Sequence, residues 1–223
     1  MLRMRRCDAL LRAVFVYGRE ECVMYVFAEF EKRGILRYIS HLDLQRAMTR
    51  LLLRTDLPIV FSEGFNPHPK LTFAQPLSIF QESVCEIAVF RLDGPPPEEK
   101  TLEALRAAAP EGLTFRKVTY SERKLPECRA AKYEILMSSA LTADGLKAAM
   151  EGPMPVLKKS KAKTETVDIS PMIKEREWRE TEDGILLTCV LPAGSKTLNP
   201  SYIGAFLEGK ATIRSILRTE LYF

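Results

Sequence analysis

Between residues 23 and 120 the apolar pattern switches repeatedly between the two-residue period of a strand and the roughly 3.6-residue period of a helix. Val23-Met-Tyr-Val-Phe-Ala-Glu-Phe30 is β-branched and aromatic and predicts a strand. Lys32-Arg-Gly34 marks a turn, after which Ile35–Ile39 can continue as strand. Ser40 then precedes a helix from His41 to about Arg54, with Leu42, Met48, Leu51 and Leu52 as its apolar face and Gln45, Arg46, Thr49 and Arg50 opposite. Leu57–Phe61 reads as a short strand and Ser62–Lys70 as a turn-rich loop. Leu71–Ile79, interrupted by Pro76, is an edge strand or irregular. A strand over Ser83–Leu92, a helix over Glu98–Ala109 and a strand over Gly112–Tyr120 complete the order β-α-β-β-α-β, that of a ferredoxin-like unit.

Beyond a polar stretch the order resembles the first. Ala131–Ser138 predicts a strand, Thr142–Met150 a helix, and Pro155–Lys158 and Glu165–Ile169 short strands around a lysine-rich loop. Met172–Arg179 and Gly184–Leu191 form a hairpin, Asn199-Pro200 starts a short helix to about Leu207, and Ala211–Phe223 is a closing strand. The expectation is an α+β chain of two tandem ferredoxin-like domains, residues 24–120 and 131–223, joined by a linker at 121–130. Residues 1–23 are arginine-rich and without a clear period. Because Met24 sits where the first domain would begin, they read as an N-terminal extension, either a mobile arm or the product of an upstream start codon.

The bulk chemistry removes several function classes. The five cysteines, Cys7, Cys22, Cys85, Cys128 and Cys189, are scattered and contain no C-x-x-C pair, so ligands for a zinc ribbon or an iron–sulfur cluster are missing. Their odd number favours reduced thiols in a cytoplasmic protein over a disulfide framework. No apolar run reaches the roughly 18 residues of a membrane span, and the arginines of the first residues do not lead into a signal-peptide core. A net charge of +4 permits a phosphate-rich partner, so the placement of the cations matters more than their sum.

Both histidines fall in one block, from Arg37-Tyr-Ile-Ser-His41-Leu-Asp to Ser62-Glu-Gly-Phe-Asn-Pro-His68-Pro-Lys70. Ser40 and Asp43 have the spacing of a helix cap. The same helix start, with His41 beside it, suits a phosphate or carboxylate. Arg46, Arg50 and Arg54 form one stripe, which is either a solvated face or a ladder of phosphate contacts, and Arg37 can extend it. Gly64, Pro67 and Pro69 stiffen the second motif around His68, as a binding loop requires, or as a turn that packs Phe65 onto the core. The candidates for phosphate or RNA contact are therefore Arg37, Ser40, His41, Arg46, Arg50, Ser62, Glu63, Gly64, Asn66, His68 and Lys70. The run Lys158, Lys159, Lys161 and Lys163 is a further candidate or a solvated loop. His41 and His68 are the catalytic candidates, as an acid–base pair if their rings converge. Pro192–Pro200 lacks P-loop spacing, Cys85 reads as a small core residue, and neither a metal nor a cofactor is expected.

Arg37-Tyr-Ile-Ser-His-Leu-Asp-Leu-Gln-Arg46, Ser62–Lys70 and Leu191-Pro-Ala-Gly-Ser195 together resemble the bacterial family of radical SAM-linked proteins, from about Met24 onward. The resemblance implies a neighbouring or fused cobalamin-binding radical SAM protein as partner. More distantly, the element order and the histidine at the first helix resemble CRISPR repeat-processing endoribonucleases, which cut RNA without metal. Three readings follow: an accessory RNA-binding module serving a radical SAM RNA-modifying enzyme, a metal-independent endoribonuclease using His41 and His68, or a protein-interaction adaptor that binds no nucleic acid.

Overall fold

The computed structural model of the chain describes residues 23–159 and 164–223. The extension expected over 1–23 lies outside the described residues except for Val23, and so do Lys161 and Lys163. The first half runs β1 (Val23–Lys32), α1 (His41–Leu53), β2 (Thr72–Phe73), β3 (Glu82–Asp93), α2 (Glu98–Ala108) and β4 (Leu113–Ser121). The second runs β5 (Ala130–Ser139), α3 (Ala143–Ala149), β6 (Pro155–Lys159), β7 (Thr164–Asp168), β8 (Lys174–Thr181), β9 (Gly184–Pro192), α4 (Ser201–Phe206) and β10 (Ala211–Tyr222). The architecture is α+β: one large, mostly antiparallel sheet in the order β4-β1-β3-β10-β5-β9-β8, with β2 also paired to β3 and β6–β7 as a separate hairpin.

Period-two burial explains β1, where Val26, Ala28, Phe30 and Lys32 face inward and their neighbours do not. Two apolar clusters result. One gathers side chains between Val26 and Val118 under α1 and α2, and the other gathers side chains between Ala131 and Ile216 under α3 and α4. A short parallel pairing, Leu217 and Arg218 of β10 opposite Glu82 and Ser83 of β3, fuses the halves into one sheet. Because β10 takes one end of the β3 edge, β2 can pair only farther along it, at Ala88 and Val89.

Polar groups seal the seam. Gln75 Nε2 donates to Thr197 Oγ1 at 3.3 Å, Gln81 Nε2 to Asn199 Oδ1 at 2.9 Å, and Asn199 Nδ2 to Ser78 Oγ at 3.0 Å. The Leu191–Ser195 motif belongs to this contact: Gly194 N–H donates to Gln75 Oε1 at 3.1 Å. Gly194 sits at φ +64°, where a Cβ would fall 2.8 Å from the Cys128 carbonyl oxygen, so a side chain there would force the backbone to shift. Beneath lies a fully buried ion pair, Arg218 with Glu86, whose guanidinium also donates to the Gln75 carbonyl at 2.8 Å. Burial holds the neighbouring Lys32 ammonium below the usual lysine range, against the opposing pull of Glu86.

Three local expectations are corrected. Ile35–Ile39 does not extend β1; Gly34–Tyr38 is a 3₁₀ turn, since Gly34 at φ +62° redirects the chain and its N–H donates to Glu82 Oε1 at 2.8 Å. The apolar face of α1 is Leu44, Met48, Leu51 and Leu52, while Leu42 is 61% exposed. Leu57–Phe61 is not a strand but makes single bridges, Ile59 opposite Leu92 and Phe61 opposite Pro69, because Pro58 lacks the N–H that a ladder needs.

Candidate functional site

The helix start of α1 is closed by its own side chains. Ser40 Oγ accepts from the Asp43 N–H at 3.2 Å and donates to Asp43 Oδ2 at 2.7 Å. The Ser40 hydroxyl and Arg46, which donates to Asp43 Oδ1 at 3.0 Å, hold the Asp43 carboxyl below its ordinary range. A carboxylate already occupies the position that an anion would take. The arginine stripe divides three ways: Arg46 is tied to Asp43, Arg54 donates to the Ala108 carbonyl at 2.7 Å, and Arg50 is exposed. Arg37 lies over the Tyr38 ring at 4.9 Å and donates to its hydroxyl at 2.8 Å.

His41 turns toward the sheet. Its ring meets Phe73 edge-on at 5.3 Å, its Nδ1 is buried without a hydrogen-bond partner, and burial holds its pKa below the ordinary value.

His68 is built differently. Ser62 N–H donates to the His68 carbonyl at 2.8 Å, and the His68 N–H returns to Ser62 Oγ at 3.1 Å, closing the loop 62–68. Nδ1 lies 2.9 Å from Ser62 Oγ and 3.1 Å from the Asn66 carbonyl. A backbone carbonyl can only accept, so the Asn66 contact is a hydrogen bond when Nδ1 carries the proton. Glu63, Gly64 and Asn66 are exposed around the tip. Phe65 does not pack on the core as a structural turn would require; its ring stands fully in solvent at 105% exposure, because the Ser62–His68 closure fixes the loop away from the body.

Behind this loop is a cavity of about 680 Å³, walled by Gln45 and Thr49 of α1, by His68–Ala74, by Tyr25 and Arg91 of the sheet and by Lys124–Glu127. Lys70, Arg91 and Lys124 are among its lining residues with one carboxylate, Glu127, and Arg91 lies 6.0 Å from the centre of the Tyr25 ring. Of the residues singled out in sequence, His68 and Lys70 line this cavity, whereas Arg37, Ser40, His41, Arg46 and Arg50 do not. Tyr25, Arg91 and Lys124 were missed. Arg91 sits inside an apolar strand pattern, and Lys124 belongs to the stretch read as a linker, so neither stands out without the fold.

Lys158 lies half-buried on β6 opposite Glu165, and the backbone of Lys159 pairs with Thr164. Burial pushes the Cys85 thiol up to about 11 and the Cys189 thiol up to about 12, away from nucleophile chemistry at neutral pH. Among the described residues no cluster of histidine, cysteine and carboxylate side chains is positioned to hold a metal, and no helix is long and apolar enough to cross a membrane.

Solved structures with a similar course of chain include a Cbf5–Nop10–Gar1 complex, with a TM-score of 0.49, 15% identity, and coverage of 88% of this chain and 48% of that one. The archaeal box H/ACA sRNP Nop10–Cbf5 complex gives a TM-score of 0.44 and 13% identity, with coverage of 88% and 47%. The chain thus spans about half the length of these two structures. No curated protein matches it. A family profile described as "Uncharacterized protein conserved in bacteria (DUF2344)" matches residues 26–200, and the chain belongs to that family.

Proposed function

We propose that the protein is an accessory RNA-binding module that serves a cobalamin-binding radical SAM RNA-modifying enzyme in the cytoplasm, each half being a ferredoxin-like unit. The strand orders β4-β1-β3-β2 and β10-β5-β9-β8 support the architectural part. The observation that carries RNA binding is the cavity behind the 62–68 loop, lined by Lys70, Arg91, Lys124 and His68 with Glu127 as its one carboxylate. Cations so gathered neutralise phosphates and release counterions. The enzyme partner comes from the sequence motifs, which resemble radical SAM-linked proteins. Binding is preferred to cleavage because His41 faces Phe73 rather than the cavity, so one imidazole, not two, attends a phosphate held there.

Fluorescence anisotropy with a labelled RNA across a salt series tests this reading. Affinity should fall with a log–log slope of about −2, the value for three phosphate contacts on a single strand. Lys124→Glu and Lys70→Glu, both at exposed positions, should each weaken binding about tenfold and flatten that slope. Absence of RNA binding at low ionic strength rejects it. Co-elution with a purified cobalamin-binding radical SAM protein tests the partner separately. A second reading, the protein adaptor, is favoured by the exposed apolar group Ile35, Tyr38, Ile79 and Phe80, in which the Tyr38 and Phe80 rings touch edge-on at 5.9 Å.

A further inference from the structure

Cations draw phosphate but do not distinguish a paired strand from an unpaired one; aromatic side chains do. Phe65 is held in water at the tip of its loop, forgoing the stabilisation that burying such a side chain yields. A slack loop would let the ring fold back. This one is closed by the reciprocal Ser62–His68 hydrogen bonds and stiffened by Pro67 and Pro69, so the ring is kept outward.

The cavity behind the loop adds two more aromatic walls, Tyr25 and Phe73, beside Lys70, Arg91 and Lys124. Thr49 and Gln45 line it from successive turns of α1, and the next residue on that stripe is His41, whose ring meets Phe73. The loop that carries Phe65 thus borders a cavity lined by both cationic and aromatic side chains, with His68 and Lys70 belonging to its wall. At about 680 Å³ the cavity is the size of a small-ligand pocket rather than of a duplex-binding surface. Inside a duplex both faces of a base are covered by its neighbours, and exposing one requires unstacking. An unpaired base offers its face freely, and stacking on an aromatic side chain is tolerant of sequence.

We infer that the groove takes unpaired RNA, a few nucleotides of a single strand or loop, with one base stacked on Phe65 and the adjacent phosphates on Lys70, Arg91 and Lys124. This rests on the RNA-binding reading above and narrows it to a substrate class.

Anisotropy titrations of the full chain with three labelled probes at one salt concentration test it: a mixed-sequence single-stranded RNA, the same RNA annealed to its complement, and a hairpin with an unpaired loop. The single strand and the hairpin should bind at least about tenfold more tightly than the blunt duplex. Phe65→Ala should weaken single-strand binding about tenfold, Phe65→Trp should keep it, and Phe65→Leu should behave as alanine. All three variants should melt with the wild type, since the ring is fully exposed. Equal affinity for duplex and single strand overturns the inference and leaves RNA binding standing. So does a leucine that restores affinity, which marks plain apolar contact. Unchanged RNA affinity in Phe65→Ala, with lost co-elution of the purified radical SAM protein, reassigns the ring to protein docking and overturns it too. If none of the probes binds at low salt, the RNA-binding reading itself falls.

Discussion

His41 and His68 show how two copies of one side chain acquire different chemistry from their surroundings. His68 is exposed and lines the cavity, while His41 is half-buried, packed on Phe73, with Nδ1 unpartnered. Burial disfavours the His41 cation, so its folded pKa lies below the ordinary 6.5. The unfolded chain therefore binds a proton more readily than the folded one. Stability from this group is fully present above the unfolded pKa and is lost as pH falls through that value toward the folded pKa. Urea midpoints measured at about pH 7.5 and about pH 5.5 should fall toward the acid side in the wild type and fall less in His41→Gln. An equal drop in both proteins would remove His41 as the source. The sequence placed both histidines in one block but could not separate these roles, because the discriminating contact is with Phe73 on a later strand.

Elements held by neighbours in sequence were legible; those held by distant partners were not. The Ser40–Asp43 cap is local, and Ser40→Ala should cost about 1 kcal/mol of stability, read from chemical denaturation, with little change in RNA affinity. The 62–68 loop makes the opposite prediction. Ser62 accepts from the His68 N–H and contacts Nδ1, so Ser62→Ala frees a loop that carries no core residue. RNA affinity should drop several-fold while the melting temperature stays within about a degree, as expected when binding requires a pre-shaped loop. A lower melting temperature with unchanged affinity would make the loop a scaffold element. The rigidity of this loop was readable from Gly64, Pro67 and Pro69, whereas the outward Phe65 was not, since an aromatic in a turn serves core and surface equally well. Leu42 misled because an apolar residue at a helix start fits the stripe by composition. Leu44, four residues before Met48, fits it by angle.

Across the whole molecule the two cores are separate, but the sheet and its charges are shared. No sequence pattern marks Arg218 as buried, because its partner Glu86 is 132 residues away on the other half. Removing one member of such a pair strands the other charge in the interior, at a cost of about 3–5 kcal/mol. The cost should land on the half that keeps the stranded charge. Arg218→Met takes the guanidinium from the Glu86 carboxylate in β3, leaving Lys32 as the neighbouring cation, and should weaken the first half. Glu86→Gln leaves the guanidinium in β10 and should weaken the second. Trp178, the sole tryptophan, packs against the second core and reports that half, while far-UV circular dichroism reports both. In wild type the two denaturation curves should superimpose, since the β3–β10 pairing and the Gln75–Thr197 and Gln81–Asn199 bonds couple the halves. In Arg218→Met the ellipticity should begin to fall before the tryptophan signal moves, and in Glu86→Gln the tryptophan signal should lead. Wild-type curves that already diverge would mean that the seam aligns two independent units. Variants whose curves still coincide at lower denaturant would mean that coupling through the sheet outlasts the loss of the ion pair.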